Sequence, residues 1–334
     1  MQRFESYQAQ SPCPLCAGRD GTLIATEDRH GQPLPVVCCR GCGLAHVDPI
    51  PSQDELAQFY AERYRREYKQ ATTPRLRHVY RAGRVAIDRL RHVALLSAPP
   101  ARVLECGAGG GEFAYLLTSS GYRYTGIEPN DGYREYAREQ YGVDLRPGTL
   151  DDARFDDGEF DLIVMFHVLE HVRDPGDALR RLAAWLKPGG HLYLEVPNGL
   201  TAVSSPSNLY HRAHLYYFAD EPLAGLAARA GLAPALVDGN AGHANLTAIF
   251  TKPLGSTTAE RAASTSPVAH DAVVNANRER TLGRYLMSGR TLAQAPLRWW
   301  QRRVENAASR DAASGRELLD RLYKNEAPRL GRGA

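Results

Sequence analysis

Three observations predict an α/β protein with additional modules at both ends. Strand and helix patterns alternate from about residue 101 onward, which is typical of a parallel sheet covered by helices. A glycine-rich turn follows the first of these strands, and five of the six cysteines fall within the first 42 residues. The predicted fold is a Rossmann-like, seven-stranded, mostly parallel sheet with an N-terminal zinc-binding module and a helical C-terminal extension.

Composition bounds the size and the class of the protein. With 334 residues, of which 43% are hydrophobic, the chain can bury one large core and carry smaller modules. No apolar run approaches the roughly 20 residues of a membrane span, and the N-terminus lacks the apolar core of a signal peptide. We therefore expect a cytoplasmic protein with no membrane partner.

The chain divides into four predicted parts: 1–50 as the zinc-binding module, 51–100 as a helical linker or lid, 101–253 as the α/β domain and 254–334 as a basic helical extension. The net charge is +3, but residues 255–334 hold 14 Lys and Arg against 8 Asp and Glu. We expect the amphipathic helices of this extension to pack or to form a homodimer contact. Binding to a polyanion is the alternative.

The glycine-rich turn, Gly107 to Gly111, predicts a nucleotide-type ligand. Glycines at Gly107, Gly109 and Gly111 can adopt positive φ and present no Cβ, so a ligand can lie directly on the backbone. The dinucleotide pattern G-x-G-x-x-G would need a glycine at the position of Glu112. The spacing therefore favours another nucleotide-type ligand, and a purely structural turn is the alternative.

Two acids end the strands on either side of this turn. Glu105 stands two residues before Gly107, and Glu128 ends the next strand, directly before Pro129. A carboxylate at the tip of the second strand can accept hydrogen bonds from both ribose hydroxyls. Glu105 with the three glycines resembles the E/D-x-G-x-G-x-G signature of class I S-adenosylmethionine-dependent methyltransferases, which implies S-adenosylmethionine as the cofactor.

Two later loops complete the cofactor site that this resemblance implies. Leu150 and Asp151 follow a short third strand, in the loop that lies against the adenine in such enzymes, and either Asp151 or Asp152 can accept from the exocyclic amine. A solvated loop acid is the alternative. The resemblance also places His167, after the fourth strand, beside the methionine part of the cofactor.

The residues after the fourth strand also match a rival pattern. His167, Glu170 and His171 fit H-x-x-E-H, the motif of a zinc peptidase. That motif needs both histidines within one long helix and a distant third ligand, whereas His167 ends a strand and Asp174-Pro175 follows shortly. The pattern therefore disfavours a peptidase.

Four cysteines predict a structural zinc site. Cys13 and Cys16 form one C-x2-C pair, and Cys39 and Cys42 form another. Four thiolates complete a tetrahedral zinc shell. A module of about 40 residues needs such a metal cross-link, because it cannot bury enough apolar surface alone. A disulfide or a cluster of free thiols is the alternative, and we expect Cys38 to be a buried spectator.

The segment 208–218 is the best candidate for acceptor chemistry. It carries Tyr210, His211 and His214 among further aromatic residues. A histidine can remove a proton near neutral pH, as methylation of a hydroxyl, an amine or an enolisable carbon often requires. An aromatic lid over the site is the equal alternative, and a lid can itself contain the base.

Residues 13–252 resemble a bacterial group of class I methyltransferases with an N-terminal zinc-binding module. The phrase Cys39-Arg40-Gly41-Cys42-Gly43-Leu44, followed by Asp48-Pro49, carries this likeness. The group includes C-methyltransferases of nucleotide-linked deoxysugars, in which a Y-H-E-H segment surrounds the reacting carbon. Here Tyr210 to His214 reads Y-H-R-A-H, one residue longer and without the glutamate, and the helical extension does not resemble the long C-terminal α/β domain of those enzymes.

The resemblance implies methyl transfer to a small molecule, such as a sugar nucleotide, a polysaccharide precursor or a natural-product intermediate. An RNA base methyltransferase with a zinc module is the alternative, which the basic extension would serve, although the zinc module is not strongly basic and no aromatic and basic strip appears. A scaffold that retains the fold without catalysis is a third possibility.

Overall fold

The structure is a computed structural model that describes residues 4–56, 58–59, 74–202, 205, 208–255, 267–287 and 290–326. The strands of these residues are β1 (Glu5–Gln8), β2 (Asp20–Glu27), β3 (Pro33–Cys39), β4 (Ala45–Val47), β5 (Arg102–Cys106), β6 (Arg123–Glu128), β7 (Arg146–Pro147), β8 (Phe160–Phe166), β9 (Leu186–Pro197), β10 (Tyr216–Tyr217), β11 (Ala233–Asp238) and β12 (Asn245–Thr251). The helices are α1 (Leu76–Leu96), α2 (Glu112–Ser119), α3 (Asp131–Tyr141), α4 (Pro175–Trp185), α5 (Asp220–Arg229), α6 (Pro267–Glu279), α7 (Leu282–Met287), α8 (Arg290–Arg310) and α9 (Gly315–Glu326), with a 3-10 turn at Leu169–His171.

A seven-stranded sheet confirms the predicted α/β fold. Its strand order is β11-β12-β9-β8-β5-β6-β7. β5 pairs in parallel with β6, and β6 with β7, whereas β12 runs antiparallel to both β9 and β11. The sheet is therefore mixed, because the closing hairpin reverses direction. β8 is the middle strand of this order and is almost entirely buried, as its continuous apolar sequence predicts.

The chain forms two compact units. The first consists of Met1–Ala57 and Met165–Leu292, and the second of Gln58–Val164 and Ala293–Ala334. The domain boundaries expected from the sequence stay predictions. In the described residues no helix is both long enough and apolar enough to cross a membrane.

The first unit contains a second sheet that encloses the N-terminal cysteines. Its strand order is β1-β2-β3-β4-β10, and its pairings are antiparallel. The last strand, Tyr216–Tyr217, belongs to residues 208–218, here called the aromatic segment. It pairs with Ala45 and His46 of β4. The N-terminal sheet therefore takes one strand from outside residues 1–50.

In the second unit, the last helix of the extension packs against α1. A Cβ on Gly83 of α1 would lie 2.6 Å from Leu319 and 2.8 Å from Leu322 of α9, so the two helices approach closely at this glycine. The hydroxyl of Tyr323 donates to the carbonyl of Glu112, 2.8 Å away at the start of α2. This part of the extension therefore packs within its own unit.

Two helix predictions need correction or fall outside the described residues. The apolar residues Leu282, Tyr285 and Leu286 predict one helix over residues 275–288, which is wrong, because α6 begins at Pro267 and ends at Glu279, before α7 starts at Leu282. Arg280 lies between them with its side chain turned inward and 7% exposed, and this interrupts the helix. The sequence Ser52-x-x-Glu55 predicts a capping box that opens a helix, and the box is present. Residues 60–73, expected to continue that helix, and 256–266, expected from their Ser, Thr and Ala content to be a linker, lie outside the described residues.

Candidate active site and cysteine cluster

The glycine turn, Gly107 to Gly111, has the backbone shape that its sequence predicts. Gly107, Gly109 and Gly111 have φ values of 80°, 56° and 85°, which only glycine adopts without strain. A Cβ on Gly111 would lie 2.7 Å from Cβ of Ala137, so α3 also requires glycine there. A Cβ on Gly109 would meet nothing within 4 Å. The turn therefore leaves open space beside Gly109.

Glu128 links the end of β6 to this turn. Its side chain is 5% exposed, and its Oε2 accepts a hydrogen bond from the backbone N–H of Gly109 at 2.9 Å. Oε1 accepts from the N–H of Asn130, also at 2.9 Å. Burial raises the pKa of this carboxyl, while the two N–H donors lower it. Each carboxylate oxygen can accept a second hydrogen bond, so Glu128 can hold the turn and still accept from a ligand.

Glu105 lies inside the second unit. It is 3% exposed, and the hydroxyl of Tyr124 donates to its Oε2 at 2.7 Å. Burial raises the pKa of Glu105 to about 8, partly offset by that hydrogen bond. Glu105 therefore supports the base of the glycine turn as a buried acid, and its role toward the cofactor stays a prediction.

The other predicted cofactor residues of the second unit lie around the ends of β6 and β7. Pro129 is exposed, Leu150 is buried and Asp151 is exposed. Asp152 Oδ2 accepts from the backbone N–H of Thr149 at 2.8 Å and from its hydroxyl at 2.7 Å. These bonds hold the loop in shape, and the contact of Asp151 or Asp152 with an adenine amine stays a prediction.

The four predicted zinc ligands, here called the cysteine cluster, come together in the first unit. The Sγ atoms of Cys13 and Cys42 are 3.5 Å apart, and those of Cys16 and Cys39 are 3.4 Å apart. All four sulfur atoms lie within 4.8 Å of one another, and every one of these cysteines is free. Four thiols at such separations match the donor set of a tetrahedral zinc site, whose Zn–S bonds are about 2.3 Å long.

Cys38 stands outside the cysteine cluster. It is fully buried, and its thiol donates weakly to the carbonyl of Gly43 at 3.6 Å. Burial raises the pKa of this thiol well above its ordinary value. Cys38 is therefore an apolar core residue rather than a thiolate ligand.

His167 follows β8 in a backbone conformation that is uncommon for histidine. Its φ is 57°, and its backbone N–H donates to the carbonyl of Glu195 at 2.8 Å. Left-handed backbone at a residue other than glycine costs energy and often occurs at functional sites. His167 also precedes the 3-10 turn rather than sharing a helix with His171, so the helix that the peptidase motif requires is not formed at these residues.

The aromatic segment brings its histidines to the residues that follow His167. The ring centroids of His211 and His214 are 4.9 Å apart, as are those of His171 and His214. We call Glu170, His171, His211 and His214 the histidine cluster. Burial, together with the charges of the neighbouring histidines, lowers the pKa of His214 to about 2, so this imidazole is neutral at physiological pH. Its role as a base stays a prediction.

Tyr210 is buried, and its hydroxyl has a defined partner. The hydroxyl donates to Oδ1 of Asn277 at 2.6 Å, and burial raises the pKa of Tyr210. Nη1 of Arg280 donates to the same Oδ1 at 2.6 Å. Asn277 and Arg280 therefore anchor the aromatic segment, and the sequence pattern did not indicate either residue because they are about 70 positions away.

Asn198, at the exit of β9, has a structural role. It is fully buried, and its Nδ2 donates to the carbonyls of Gly239, Asn240 and His243 at 3.0 to 3.2 Å. Its Oδ1 accepts from the N–H of Leu200 at 2.9 Å. The amide holds two loops together and has no donor left for a ligand.

Comparisons with known proteins show that part of this chain is similar to methyltransferases. Residues 76–236 match the family model described as "Methyltransferase domain". Over 117 residues the chain is 36% identical to a ubiquinone biosynthesis O-methyltransferase of Xanthomonas campestris, covering 33% of this chain and 49% of that protein. A probable S-adenosylmethionine-dependent methyltransferase of Mycolicibacterium smegmatis is 31% identical over 117 residues, 34% of this chain and 46% of that protein.

The chain spans about half the length of the curated relatives it matches. Among solved structures, the 1,6-didemethyltoxoflavin-N1-methyltransferase of Burkholderia thailandensis superposes with a TM-score of 0.45 and 22% identity, over 63% of this chain and 95% of that one. These relatives above 30% identity are described as methyltransferases, and so is the matched family model. The likeness to methyltransferases therefore rests on residues 76–236, slightly less than half of the chain.

Proposed function

We propose that this protein is an S-adenosylmethionine-dependent methyltransferase that acts on a small molecule. The observation that carries the proposal is the link between Glu128 and Gly109, which joins a strand-end carboxylate to a glycine turn with open space beside it. The family match and the names of the relatives support the same activity.

The second unit has residues that fit the methyl donor. In this proposal the oxygens of Glu128 accept from the ribose hydroxyls, the backbone of the glycine turn lies against the ligand, and Leu150 and Asp151 border the adenine. The contact of His167 with the methionine part stays a prediction from the sequence resemblance alone. The sulfonium carbon of the bound cofactor is already electrophilic, so the protein has to hold the acceptor in line with it and take up a proton where the acceptor loses one.

The acceptor in this proposal is a small molecule with a hydroxyl group. Two relatives that are 36% identical over about a third of the chain are described as ubiquinone biosynthesis O-methyltransferases, which favours oxygen as the methylated atom. The resemblance to sugar C-methyltransferases extends the candidates to nucleotide-linked sugars, polysaccharide precursors and natural-product intermediates. The residues of the first unit proposed to meet the acceptor are Tyr210, His211 and His214.

We also infer a structural zinc ion at the cysteine cluster. The support is the chemistry of the donor set, four free thiols within 4.8 Å of one another on two tight turns. A Cβ on Gly41 would lie 3.3 Å from Sγ of Cys16, so small residues allow the backbone to fold around the sulfur atoms. The ion would cross-link β3 to the N-terminal loop and has no proposed part in methyl transfer.

Calorimetric titration with S-adenosylhomocysteine tests the donor site. We expect Glu128→Ala to weaken binding at least tenfold, because the change removes an acceptor for the ribose and also releases the N–H of Gly109. Glu135→Ala is the matched control, since this glutamate on α3 is 64% exposed and should leave affinity unchanged. Equal affinities for wild type and Glu128→Ala, with both proteins folded by circular dichroism, would overturn the assignment of the site.

A further inference from the structure

Glu170 is a buried acid without a hydrogen-bond partner. Its side chain is 1% exposed, and neither Oε1 nor Oε2 has a hydrogen-bond partner among the described residues. A carboxylate buried in this way is costly unless a cation or a set of donors compensates it. The backbone carbonyl of Glu170 accepts from the N–H of Leu215 at 2.7 Å. No hydrogen bond from the part of the chain that the structure describes therefore compensates the side chain.

His171 donates from one ring nitrogen to a backbone carbonyl and turns the other toward Glu170. Its Nδ1 lies 2.7 Å from the carbonyl of Ala213, and since a carbonyl can only accept, Nδ1 carries the proton. In the neutral ring Nε2 then has a lone pair, and this atom lies 3.7 Å from Oε1 of Glu170. Such a bond from the other ring nitrogen to a carbonyl is what orients histidines that bind metals.

His214 completes a group of three donors. The ligand atoms of Glu170, His171 and His214 all lie within 4.8 Å of one another. Nδ1 of His214 is buried and has no hydrogen-bond partner among the described residues. Three neighbouring groups thus each offer a possible metal-ligand atom, and those of Glu170 and His214 include buried atoms without a hydrogen-bond partner among the described residues.

We propose that Glu170, His171 and His214 bind a divalent transition-metal ion. One carboxylate and two imidazoles are a ligand set that suits Zn²⁺, Co²⁺ and related ions. The 3.7 Å between Nε2 of His171 and Oε1 of Glu170 is less than about 4.2 Å, twice the roughly 2.1 Å length of such a metal–ligand bond. One ion can therefore contact both atoms.

A direct ion pair between Glu170 and protonated histidines explains the geometry less well. Nδ1 of His167 and Nε2 of His171 lie 3.6 Å and 3.7 Å from Oε1, beyond the range of about 2.7 to 3.2 Å for N–H···O hydrogen bonds. The ligand set also differs from that of the peptidase motif, because Glu170 itself binds the ion and His214 replaces His167.

The ion would give the acceptor a binding partner. Three protein ligands leave a coordination position for water or for a substrate oxygen, and the side chain of His171 is 28% exposed, so the cluster has access to solvent. This part of the inference rests on the proposed function: a metal-bound hydroxyl loses its proton more readily, which would favour transfer of a methyl group to oxygen. The metal site itself does not depend on it.

Cobalt titration of the zinc-loaded full-length protein tests the site without an acceptor or a methyl donor. The protein is loaded with one zinc per chain, which the four thiolates of the cysteine cluster take up, so the histidine cluster stays free to be filled by Co²⁺. We expect one added Co²⁺ per chain, with the visible d–d absorption of a nitrogen and oxygen site and without the thiolate charge-transfer band of cysteine-bound cobalt. Glu170→Gln and His214→Gln should each weaken this binding at least tenfold.

His243→Gln is the matched control. Its Nδ1 lies 3.5 Å from Oδ2 of Asp238, but both side chains are exposed, at 59% and 44%, so this pair should not hold the ion and the variant should bind Co²⁺ like wild type. Retention of one zinc per chain in each variant shows that the first unit is folded. Absence of the cobalt band in wild type, or an unchanged band in both ligand variants, would overturn the metal site. Neither result would alter the expected effect of Glu128→Ala on cofactor affinity, so failure of the two proposals can be told apart.

Discussion

The glycine turn of the second unit and the histidine cluster of the first unit are assembled in opposite ways. Glu105, Gly109 and Glu128 lie within 24 positions of chain, and the contact between Glu128 and Gly109 joins consecutive strands. In the first unit, His171 meets His214 across more than 40 positions, and Tyr210 is held by Asn277. A local site depends on one loop and its backbone shape, whereas a dispersed site depends on the packing of its whole unit.

The two regions also differ in how their charges are compensated. Glu128 receives two backbone N–H donors, while Glu170 receives none among the described residues. A carboxylate with fixed donors shapes its own loop. A buried carboxylate without donors gains compensation when a cation or a donor binds to it. We therefore expect ligand binding to stabilise the histidine cluster more than it stabilises the glycine turn.

The largest expected effect concerns the cysteine cluster, which brings together two local C-x2-C pairs of the first unit. Cys39→Ser should remove the zinc and lower the melting temperature by roughly 10 °C or more, because structural zinc contributes folding free energy directly. Elemental analysis and a thermal melt measure both effects. Cys38→Ala is the control and should retain one zinc per chain, since Cys38 lies outside the cluster. Full zinc content in Cys39→Ser would exclude the four-cysteine site.

The next effect concerns the anchor of the aromatic segment. Arg280 is buried, and its guanidinium donates to the carbonyls of Gly199 and Thr201 and to Asn277. Arg280→Ala leaves these acceptors unpaired and should cost about 3 kcal/mol of unfolding free energy, measured by urea denaturation. Arg280→Lys should recover only part of the lost unfolding free energy, because the lysine ammonium lacks the planar set of N–H donors of a guanidinium.

Arg284→Ala is the control for this anchor. Arg284 pairs only with Glu279 through side chains that are 64% and 69% exposed, and exposed pairs contribute at most about 1 kcal/mol. An equal loss of stability in the Arg280 and Arg284 variants would show that the first unit does not depend on the buried anchor.

The smallest effect is a pH dependence in the second unit. Glu112, at the start of α2, is 9% exposed, and burial raises its pKa to about 7. The folded state then holds a proton that the unfolded state releases near pH 4.3, so stability falls as pH rises from about 5 to 7 and levels off above 8. Glu112→Gln should remove this loss and be more stable than wild type by about 2 kcal/mol at pH 8.5, but not at pH 5, in denaturant titrations.

Glu135→Gln is the control for the pH effect because Glu135 is exposed on α3, and its difference from wild type should not change with pH. A gain from Glu112→Gln that is the same at pH 5 and pH 8.5 would mean that the change acts through packing rather than through ionisation.

The sequence predicts the locally assembled sites better than the site whose residues are distant in the chain. The glycine turn, the strand-end acids and the two C-x2-C pairs are local patterns, and the structure places the glycines at positive φ and the four cysteines together. The approach of His214 to Glu170 could not be predicted, because Tyr216 and Tyr217, shortly after His214, are placed by their pairing with β4, which has no local signal. The break of the last helices at Arg280 was missed for a similar reason, since its partners lie about 80 positions away.

Hydrogen exchange followed by mass spectrometry, with and without S-adenosylhomocysteine, tests most directly the central claim that the glycine turn holds the methyl donor. We predict slower exchange in peptides that cover residues 106–112 and 128–131, where Glu128 accepts from the N–H groups of Gly109 and Asn130. Glu128→Ala should lose this protection, and Glu135→Ala should keep it. Unchanged exchange in both peptides at a saturating ligand concentration would contradict the account.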